Sequence, residues 1–235
     1  MTIKSKDPVL IPSINGDNIR AVFTTKHGDP KKEDILEEFI YQNSEKPDLI
    51  LKRLQSGYPL KQFHSNSIFK FHDWFIGRQG DGMFTSRKFL PCVINVADCV
   101  PILIKNRKKN EVCAIHAGWK GLKNGIIKKA VGMFSGSKKE LSAWIGPSIS
   151  QTNYEVGHKF IHTFSEVNVS YKSCFKSYEN KCFLDLQMLA ELQLLESKLT
   201  IIDTVQRCVF HEASSFYSFR REKSRKRMSA IIWIE

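Results

Sequence analysis

The 235-residue sequence lacks the features that mark several large classes of protein. No apolar run approaches the roughly 20 residues that span a bilayer, and the segment from Met1 to Ile14 is polar and broken by proline. There is no P-loop, no Gly-x-Gly-x-x-Gly run and no His-x-Glu followed by Pro-Cys-x-x-Cys, which excludes those nucleotide sites and the usual zinc deaminase motif. We therefore expect a cytoplasmic protein without a membrane partner.

Cysteine pairs with the spacing of a zinc knuckle are also missing. The six cysteines, at positions 92, 99, 113, 174, 182 and 208, are spread along the chain without a Cys-x-x-Cys pair. In a chain without a secretory signal, this distribution favours reduced thiols over disulfides and argues against a structural zinc knuckle.

Basic residues outnumber acidic ones, with 36 lysines and arginines against 24 aspartates and glutamates and a net charge of +12. The excess is mostly lysine scattered among acidic residues, and no zinc finger or other nucleic-acid recognition motif accompanies it. We therefore expect no nucleic-acid partner. The charge is better interpreted as attraction of a small anionic substrate or as an aid to solubility.

Composition and periodicity predict a single domain over residues 1–235 and leave its oligomeric state open. There is neither an internal repeat nor a low-complexity linker, and 42% of the residues are hydrophobic. Alternating apolar residues predict strands at Ile19–Thr25, Leu60–His64, Trp74–Ile76, Leu141–Ile145 and Met228–Ile234. Helical spacing predicts helices at Lys31–Asn43, Leu122–Phe134 and Leu186–Leu199, the last with Asp185 as N-cap and a buried stripe of Leu189, Leu192, Leu195 and Leu199.

The most informative segment runs from Val112 to Leu122, where an apolar run ends on His116 and passes through glycines around Trp119 into a helical pattern. Such a strand-to-helix turn can expose a reactive side chain beside the free N–H groups of a helix start. Upstream, Asp98 and Cys99 interrupt another apolar run, where a buried carboxylate is costly without a partner. Pro101 in the same run predicts a bulge or kink.

His64, Cys99 and His116 are candidate metal ligands. Two imidazoles and one thiolate leave a fourth position open, as in catalytic zinc sites, where the metal activates a bound water. Their wide separation in the sequence leaves two alternatives: isolated buried side chains, or Cys99 as a nucleophile activated by a histidine that Asp98 or Asn95 orients.

Several motifs follow one another in a specific order over nearly the whole chain. They are Gln62-Phe63-His64, Asp81-Gly82-Met83-Phe84-Thr85, Ala97-Asp98-Cys99-Val100-Pro101, His116-Ala117-Gly118-Trp119-Lys120-Gly121, Ile145-Gly146-Pro147, Tyr154-Glu155-Val156-Gly157 and Phe216 to Arg221. In these motifs the chain resembles the laccase-domain family, also described as multicopper polyphenol oxidase-like, peptidoglycan editing factor or purine nucleoside phosphorylase proteins.

The resemblance implies an α+β fold, a layered α/β/β/α sandwich with mixed β-sheets, and one zinc bound by His64, Cys99 and His116. It implies phosphorolysis of purine nucleosides (adenosine, inosine, guanosine and methylthioadenosine) with adenosine deamination at the same site. Nucleoside and phosphate are then the expected small-molecule partners. Alternatives are a Cys-His hydrolase or peptidoglycan-editing enzyme, and a copper-dependent polyphenol oxidase, although no Cys-His-Met cluster for blue copper is evident.

Within this framework, Asp98 and Cys99 are the candidate catalytic residues, Asp98 acting beside the ligands or in proton transfer. Phosphate binding is expected from Lys26, Arg220 and Arg221 together with the N–H groups of the Gly118–Gly121 turn. Trp119 or Phe63 is a candidate for stacking on the base. Lys120 is a further candidate for substrate binding. Lys26 and Lys120 stand where the family usually has arginine, so each keeps the positive charge but lacks the two parallel N–H donors of a guanidinium.

Overall fold

The structure, a computed structural model, describes residues 9–16, 18–27, 34–55, 60–71 and 79–235. The strands are β1 (Val9–Leu10), β2 (Ile19–Thr24), β3 (Ile68–Phe71), β4 (Gly82–Thr85), β5 (Cys92–Val96), β6 (Val100–Asn106), β7 (Val112–Ala117), β8 (Leu141–Ile145), β9 (Glu155–Val156), β10 (Phe175–Tyr178), β11 (Lys181–Leu184), β12 (Ile201–Thr204) and β13 (Met228–Ile234). The α-helices are α1 (Asp34–Asn43), α2 (Pro47–Gln55), α3 (Trp119–Lys123), α4 (Ile126–Met133), α5 (Lys159–Ser165), α6 (Leu186–Glu196) and α7 (Phe219–Glu222). Short 3₁₀ helices cover Lys138–Glu140, Gln151–Asn153 and Val169–Cys174.

The strands form three sheets. A four-stranded antiparallel sheet has the order β1-β2-β13-β5, and a six-stranded mixed sheet has the order β12-β8-β6-β7-β4-β3, with parallel pairs at both edges. A small antiparallel sheet, β10-β11-β9, stands beside them. Helices and mixed or antiparallel sheets thus make up an α+β fold.

The two larger sheets pack face to face, and helices cover their outer faces. β5 and β13 contact β6 and β7 across the interface, where Phe23 lies between Trp144 and Phe216 at centroid distances of 5.8 and 6.3 Å. Helices α3, α4 and α6 pack on the other side of the six-stranded sheet. Phe39 of α1 packs edge-on against Trp233 of β13. Strand β7 is consequently buried along its whole length, which explains why His116 is its only residue that is not apolar.

Most of the predicted elements are present, but two of them differ from the prediction. Leu60–His64 is not a strand, because only an isolated bridge between Lys61 and Gln79 forms there, and Trp74–Ile76 lies outside the described residues. The helix predicted over Leu122–Phe134 is two helices, since Gly125 adopts a left-handed conformation (φ 73°) that ends α3 and begins α4. Asp185 caps α6 as predicted, its carboxylate accepting the N–H of Met188.

The prediction that four leucines in and just after α6 form a buried stripe is wrong in part. Leu189 and Leu199 are buried, but Leu192 is only partly buried and Leu195 is half exposed. Leu186, Ala190 and Leu194 share the buried face with Leu189, so the interface is rotated from the one predicted. None of the described helices is both long and apolar enough to cross a membrane.

Candidate metal centre

The turn at Ala97-Asp98-Cys99 carries the chain from one large sheet into the other. It joins β5 of the four-stranded sheet to β6 of the six-stranded sheet, and Asp98 has a φ of 96°. Pro101 lies within β6 opposite His116 of β7. Because β6 and β7 are antiparallel, the start of β6 lies beside the end of β7, and Cys99 is thereby brought to His116.

His64 reaches the same place from the segment that precedes β3. The side chain of Gln62 holds this segment on β5 through two hydrogen bonds with the backbone of Asn95, at 2.8 and 2.7 Å. His64 itself has a φ of 63°, and its Nε2 lies 3.7 Å from Sγ of Cys99. One ligand atom each of His64, Cys99 and His116 lies within 4.8 Å of the others, as a shared metal ion requires.

Asp81 holds the two histidines of this cluster in place, although the sequence did not indicate it as a site residue. It is completely buried between the two histidine-bearing segments. Its Oδ1 accepts the Nδ1–H of His116 at 2.8 Å and the backbone N–H of His64 at 3.0 Å, while its Oδ2 accepts from the backbone and hydroxyl of Ser65 at 2.6 and 2.7 Å. Burial raises the pKa of Asp81, but these hydrogen bonds outweigh it and lower the pKa to about 2.

The charges within the cluster favour a thiolate. Burial by itself raises the pKa of Cys99, but the positive charge and hydrogen bonds of His116 and His64 lower it to about 6. Burial likewise lowers the pKa of His116, while the Cys99 thiolate and Asp81 raise it above its usual value. The Cys99 side chain is therefore a thiolate at neutral pH, which is the form of cysteine that binds metals.

The residues present fit a metal ion. The donor set of two imidazoles and one thiolate suits zinc or copper, and His116 is oriented through its other ring nitrogen by a carboxylate, as metal-binding histidines commonly are. Gly118 leaves the space that the cluster needs. A Cβ at this position would lie 2.9 Å from Cδ2 of His64 and 3.0 Å from Sγ of Cys99.

Asp98 lies beside this cluster but faces away from the ligands, towards α7. Its Oδ1 accepts the hydroxyl of Ser218 and its Oδ2 accepts the backbone N–H of Arg220, both at 2.6 Å. The Arg220 guanidinium lies over the ring of Tyr154, 5.1 Å from its centroid. Burial raises the pKa of Tyr154, and the Cys99 thiolate raises it further. Tyr154 therefore lies within electrostatic range of both Cys99 and Arg220.

The remaining predicted substrate-binding residues have partners within the protein. Lys26 donates to the carbonyl of Ala213 and pairs with Glu222 at 3.4 Å. Arg221 donates to three backbone carbonyls, those of Val209, Phe210 and Phe216, and also to Glu222. Lys26 and Arg221 therefore converge on Glu222.

The candidate base-stacking residues differ in their surroundings. Trp119, at the start of α3, is partly buried against Phe160 with ring centroids 4.7 Å apart. Lys120 is exposed and lies over the Trp119 ring, 5.6 Å from its centroid. Phe63 is half exposed, as is Phe219 on α7.

Comparisons with known proteins identify the family to which the chain belongs. Residues 40–235 match the family model described as multi-copper polyphenol oxidoreductase laccase. A Shigella flexneri protein named purine nucleoside phosphorylase YfiH is 31% identical over 176 residues, which cover 74% of this chain and 72% of that protein. A Rickettsia conorii protein named purine nucleoside phosphorylase is 30% identical over 217 residues, which cover 88% and 90% of the two chains.

Solved structures share the fold. A Neisseria meningitidis protein superimposes with a TM-score of 0.80 at 23% identity, over 97% of this chain and all of its own. A Bacillus licheniformis protein described as hypothetical protein YfiH gives a TM-score of 0.80 at 22% identity, over 99% and 98% of the two chains. With its family model matched over residues 40–235, this chain belongs to the laccase-domain family, the multi-copper polyphenol oxidoreductase laccase group that includes proteins named YfiH.

Proposed function

We propose that this protein is a zinc-dependent purine nucleoside phosphorylase. The observation that carries the proposal is the convergence of His64, Cys99 and His116 on one point, in a chain whose relatives are named purine nucleoside phosphorylases. A small-molecule substrate also agrees with a basic protein without a nucleic-acid recognition motif.

His64, Cys99 and His116 would hold the metal. When bound, the metal would act as a Lewis acid at its open coordination position. Asp81 keeps the Nδ1–H of His116 engaged, so that its Nε2 is left for the metal. Zinc is favoured over a blue-copper centre, because two imidazoles and one thiolate with an open position are the donor set of a catalytic zinc site.

Phosphorolysis transfers the ribosyl group from the purine to phosphate. The C1′–N9 bond breaks with its electron pair leaving on the purine, a C1′–O bond forms to hydrogenphosphate, and the proton of that anion ends on the purine. Arg220 is the residue best placed to hold the anion, because its backbone is bonded to Asp98, the neighbour of Cys99, and its guanidinium has few partners among the described residues. Adenosine deamination would use the same site, with water replacing the amino group at C6 and ammonia released.

The decisive experiment incubates the zinc-verified protein with inosine at increasing phosphate, up to high concentration, and measures hypoxanthine and ribose 1-phosphate. We expect release that depends on phosphate, and ammonia release when adenosine is supplied. Cys99→Ser should abolish both, together with metal retention. Cys208→Ser is the matched control, since Cys208 is a partly buried thiol outside the cluster. Absence of base and ammonia from folded, zinc-loaded protein would refute the proposal.

A Cys-His hydrolase, including a peptidoglycan-editing enzyme, is the second candidate, because the pKa of Cys99 is lowered to about 6 beside two histidines. It predicts turnover without phosphate and an acyl adduct on Cys99, which mass spectrometry of the trapped enzyme would detect. The description of the family model favours a third candidate, a copper-dependent polyphenol oxidase. Phenol oxidation by copper-loaded protein would support it, although the described residues contain one metal-ligand cluster rather than several.

A further inference from the structure

We propose that Asp98 is a positioning residue, which fixes Arg220 at the metal cluster so that the guanidinium can bind the phosphate co-substrate. The proposal rests on the phosphorylase function proposed above. It assigns Asp98 no proton transfer and no contact with the metal.

Asp98 links the turn that carries Cys99 to the helix that carries Arg220. Both carboxylate oxygens are used in this link, Oδ1 by the hydroxyl of Ser218 and Oδ2 by the backbone N–H of Arg220, each at 2.6 Å. Only 8% of Asp98 is exposed, so water competes little for these hydrogen bonds. The backbone of Asp98 is fixed as well, since its carbonyl accepts the N–H of Ile149 at 2.9 Å.

The start of α7 depends on these contacts. The Ser218 hydroxyl that donates to Asp98 also accepts the backbone N–H of Arg221 at 3.2 Å, as an N-cap does. Because α7 contains only four residues, it has little stability from its own hydrogen bonds. The Asp98 carboxylate therefore holds the first residues of α7, including Arg220, beside the turn that carries Cys99, while Arg221 anchors the helix to the carbonyls of Val209 and Phe216.

The guanidinium of Arg220 remains available to a ligand. Its hydrogen bond within the described part of the chain is a long contact from Nη1 to the Glu155 carbonyl, at 3.4 Å, and its face lies against Tyr154. An arginine has five N–H donors in a planar fork that suits phosphate oxygens. The neighbouring Arg221 differs, because carbonyl oxygens and Glu222 occupy its donors.

Asp98→Asn tests the link, because an asparagine offers one acceptor oxygen and places an amide donor where a second acceptor is needed. We expect the metal content to be unchanged and the KM for phosphate to rise by about 10- to 100-fold, with a smaller change in kcat, since displacement by about 1 Å has effects on this order. Calorimetry with inorganic phosphate on the metal-loaded protein, without nucleoside, should show the same loss of affinity. Ser218→Ala removes one of the two bonds and should show a smaller loss.

Asp185→Asn is the matched control, because Asp185 is also a carboxylate that caps a helix, at α6. Because asparagine is an equally good N-cap, this variant should leave both thermal stability and phosphate binding nearly unchanged. A double-mutant cycle with Arg220→Ala separates positioning from a general effect. If Asp98 acts through Arg220, then Asp98→Asn should cause little further loss of phosphate affinity when Arg220 is absent.

Two results would overturn the proposal. Unchanged phosphate affinity in Asp98→Asn would reduce Asp98 to a structural role, and a fall in kcat alone would indicate proton transfer. If Asp98→Asn does not fold, the phosphate affinity of Ser218→Ala and a double-mutant cycle of Ser218→Ala with Arg220→Ala give the same test. Because phosphate calorimetry needs no turnover, failure of the phosphorylase function is seen separately, as phosphate binding without base release.

Discussion

The Nδ1 of His116 lies 2.8 Å from Oδ1 of Asp81, and the same oxygen accepts the backbone N–H of His64 at 3.0 Å. One buried carboxylate thus orients one candidate ligand through its ring and the other through its main chain. The left-handed backbone of His64 is uncommon for a residue other than glycine and is held by this contact. Asp81 therefore determines the geometry of two of the three ligands.

We expect Asp81→Asn to weaken metal binding by about 10- to 100-fold, the usual effect of removing a carboxylate behind a ligating histidine. Asparagine keeps the size of the side chain, but its NH2 group cannot accept hydrogen bonds, so either those from Ser65 or those from His116 and His64 are lost. Competition with a chromophoric chelator measures the affinity. Asp203→Asn is a suitable control, since Asp203 is an exposed carboxylate bonded to Ser13, and an equal loss in both variants would contradict the role of Asp81.

Gly118→Ala should reduce metal retention while leaving the protein folded. The added Cβ would lie 2.9 Å from the His64 ring and 3.0 Å from the Cys99 sulfur, so one of these ligands must move. Metal analysis after purification without added metal measures the effect. In the control Gly132→Ala, the new Cβ has no heavy atom within 4 Å. That control should keep its metal and gain about 0.5–1 kcal/mol in free energy of unfolding, because alanine is the better helix former.

The sequence allowed the three candidate ligands, which the structure brings together, to be named, but the residues that arrange them were harder to identify. His64, Cys99 and His116 are metal-binding residue types within recognisable motifs. Asp81 precedes a strand and resembles a loop residue in sequence, although the argument applied to Asp98, that a buried carboxylate needs partners, applies equally to it.

Tertiary contacts also decide what neighbouring residues of the same type can do. Arg220 and Arg221 are adjacent and chemically identical, yet one guanidinium lies against Tyr154 and the other is surrounded by backbone carbonyls. Helix α7 is too short to show a helical period, so no sequence pattern separates the two arginines. The break between α3 and α4 at Gly125 could not be predicted either, because the apolar residues of the two helices follow one continuous helical spacing.

Cys99 should be alkylated in the metal-free protein at a lower pH than an ordinary thiol. Its pKa is lowered to about 6 from 9.0, so the reactive thiolate predominates above about pH 6 and is lost by protonation below it. Iodoacetamide labelling from about pH 5 to about pH 8, with the modified cysteines identified by mass spectrometry, measures this profile. Zinc should protect Cys99. Buried Cys113, whose pKa burial raises, should stay unlabelled throughout, and a midpoint near that of a free thiol would contradict the prediction.

Alanine substitutions of Arg220, Lys26 and Arg221, the three cations predicted to bind phosphate, should have different effects on phosphate binding and stability. Arg220→Ala should raise the KM for phosphate by at least about tenfold, because a charge-assisted contact is lost. Lys26→Ala should change it by less than about threefold, because its ammonium is paired with Glu222 near the surface. Arg221→Ala should lower the free energy of unfolding by about 1–3 kcal/mol, since buried carbonyls lose their donor. Phosphate saturation curves and denaturant unfolding of the three variants measure these effects, and a larger KM effect for Lys26 than for Arg220 would show that the anion binds on the Glu222 side.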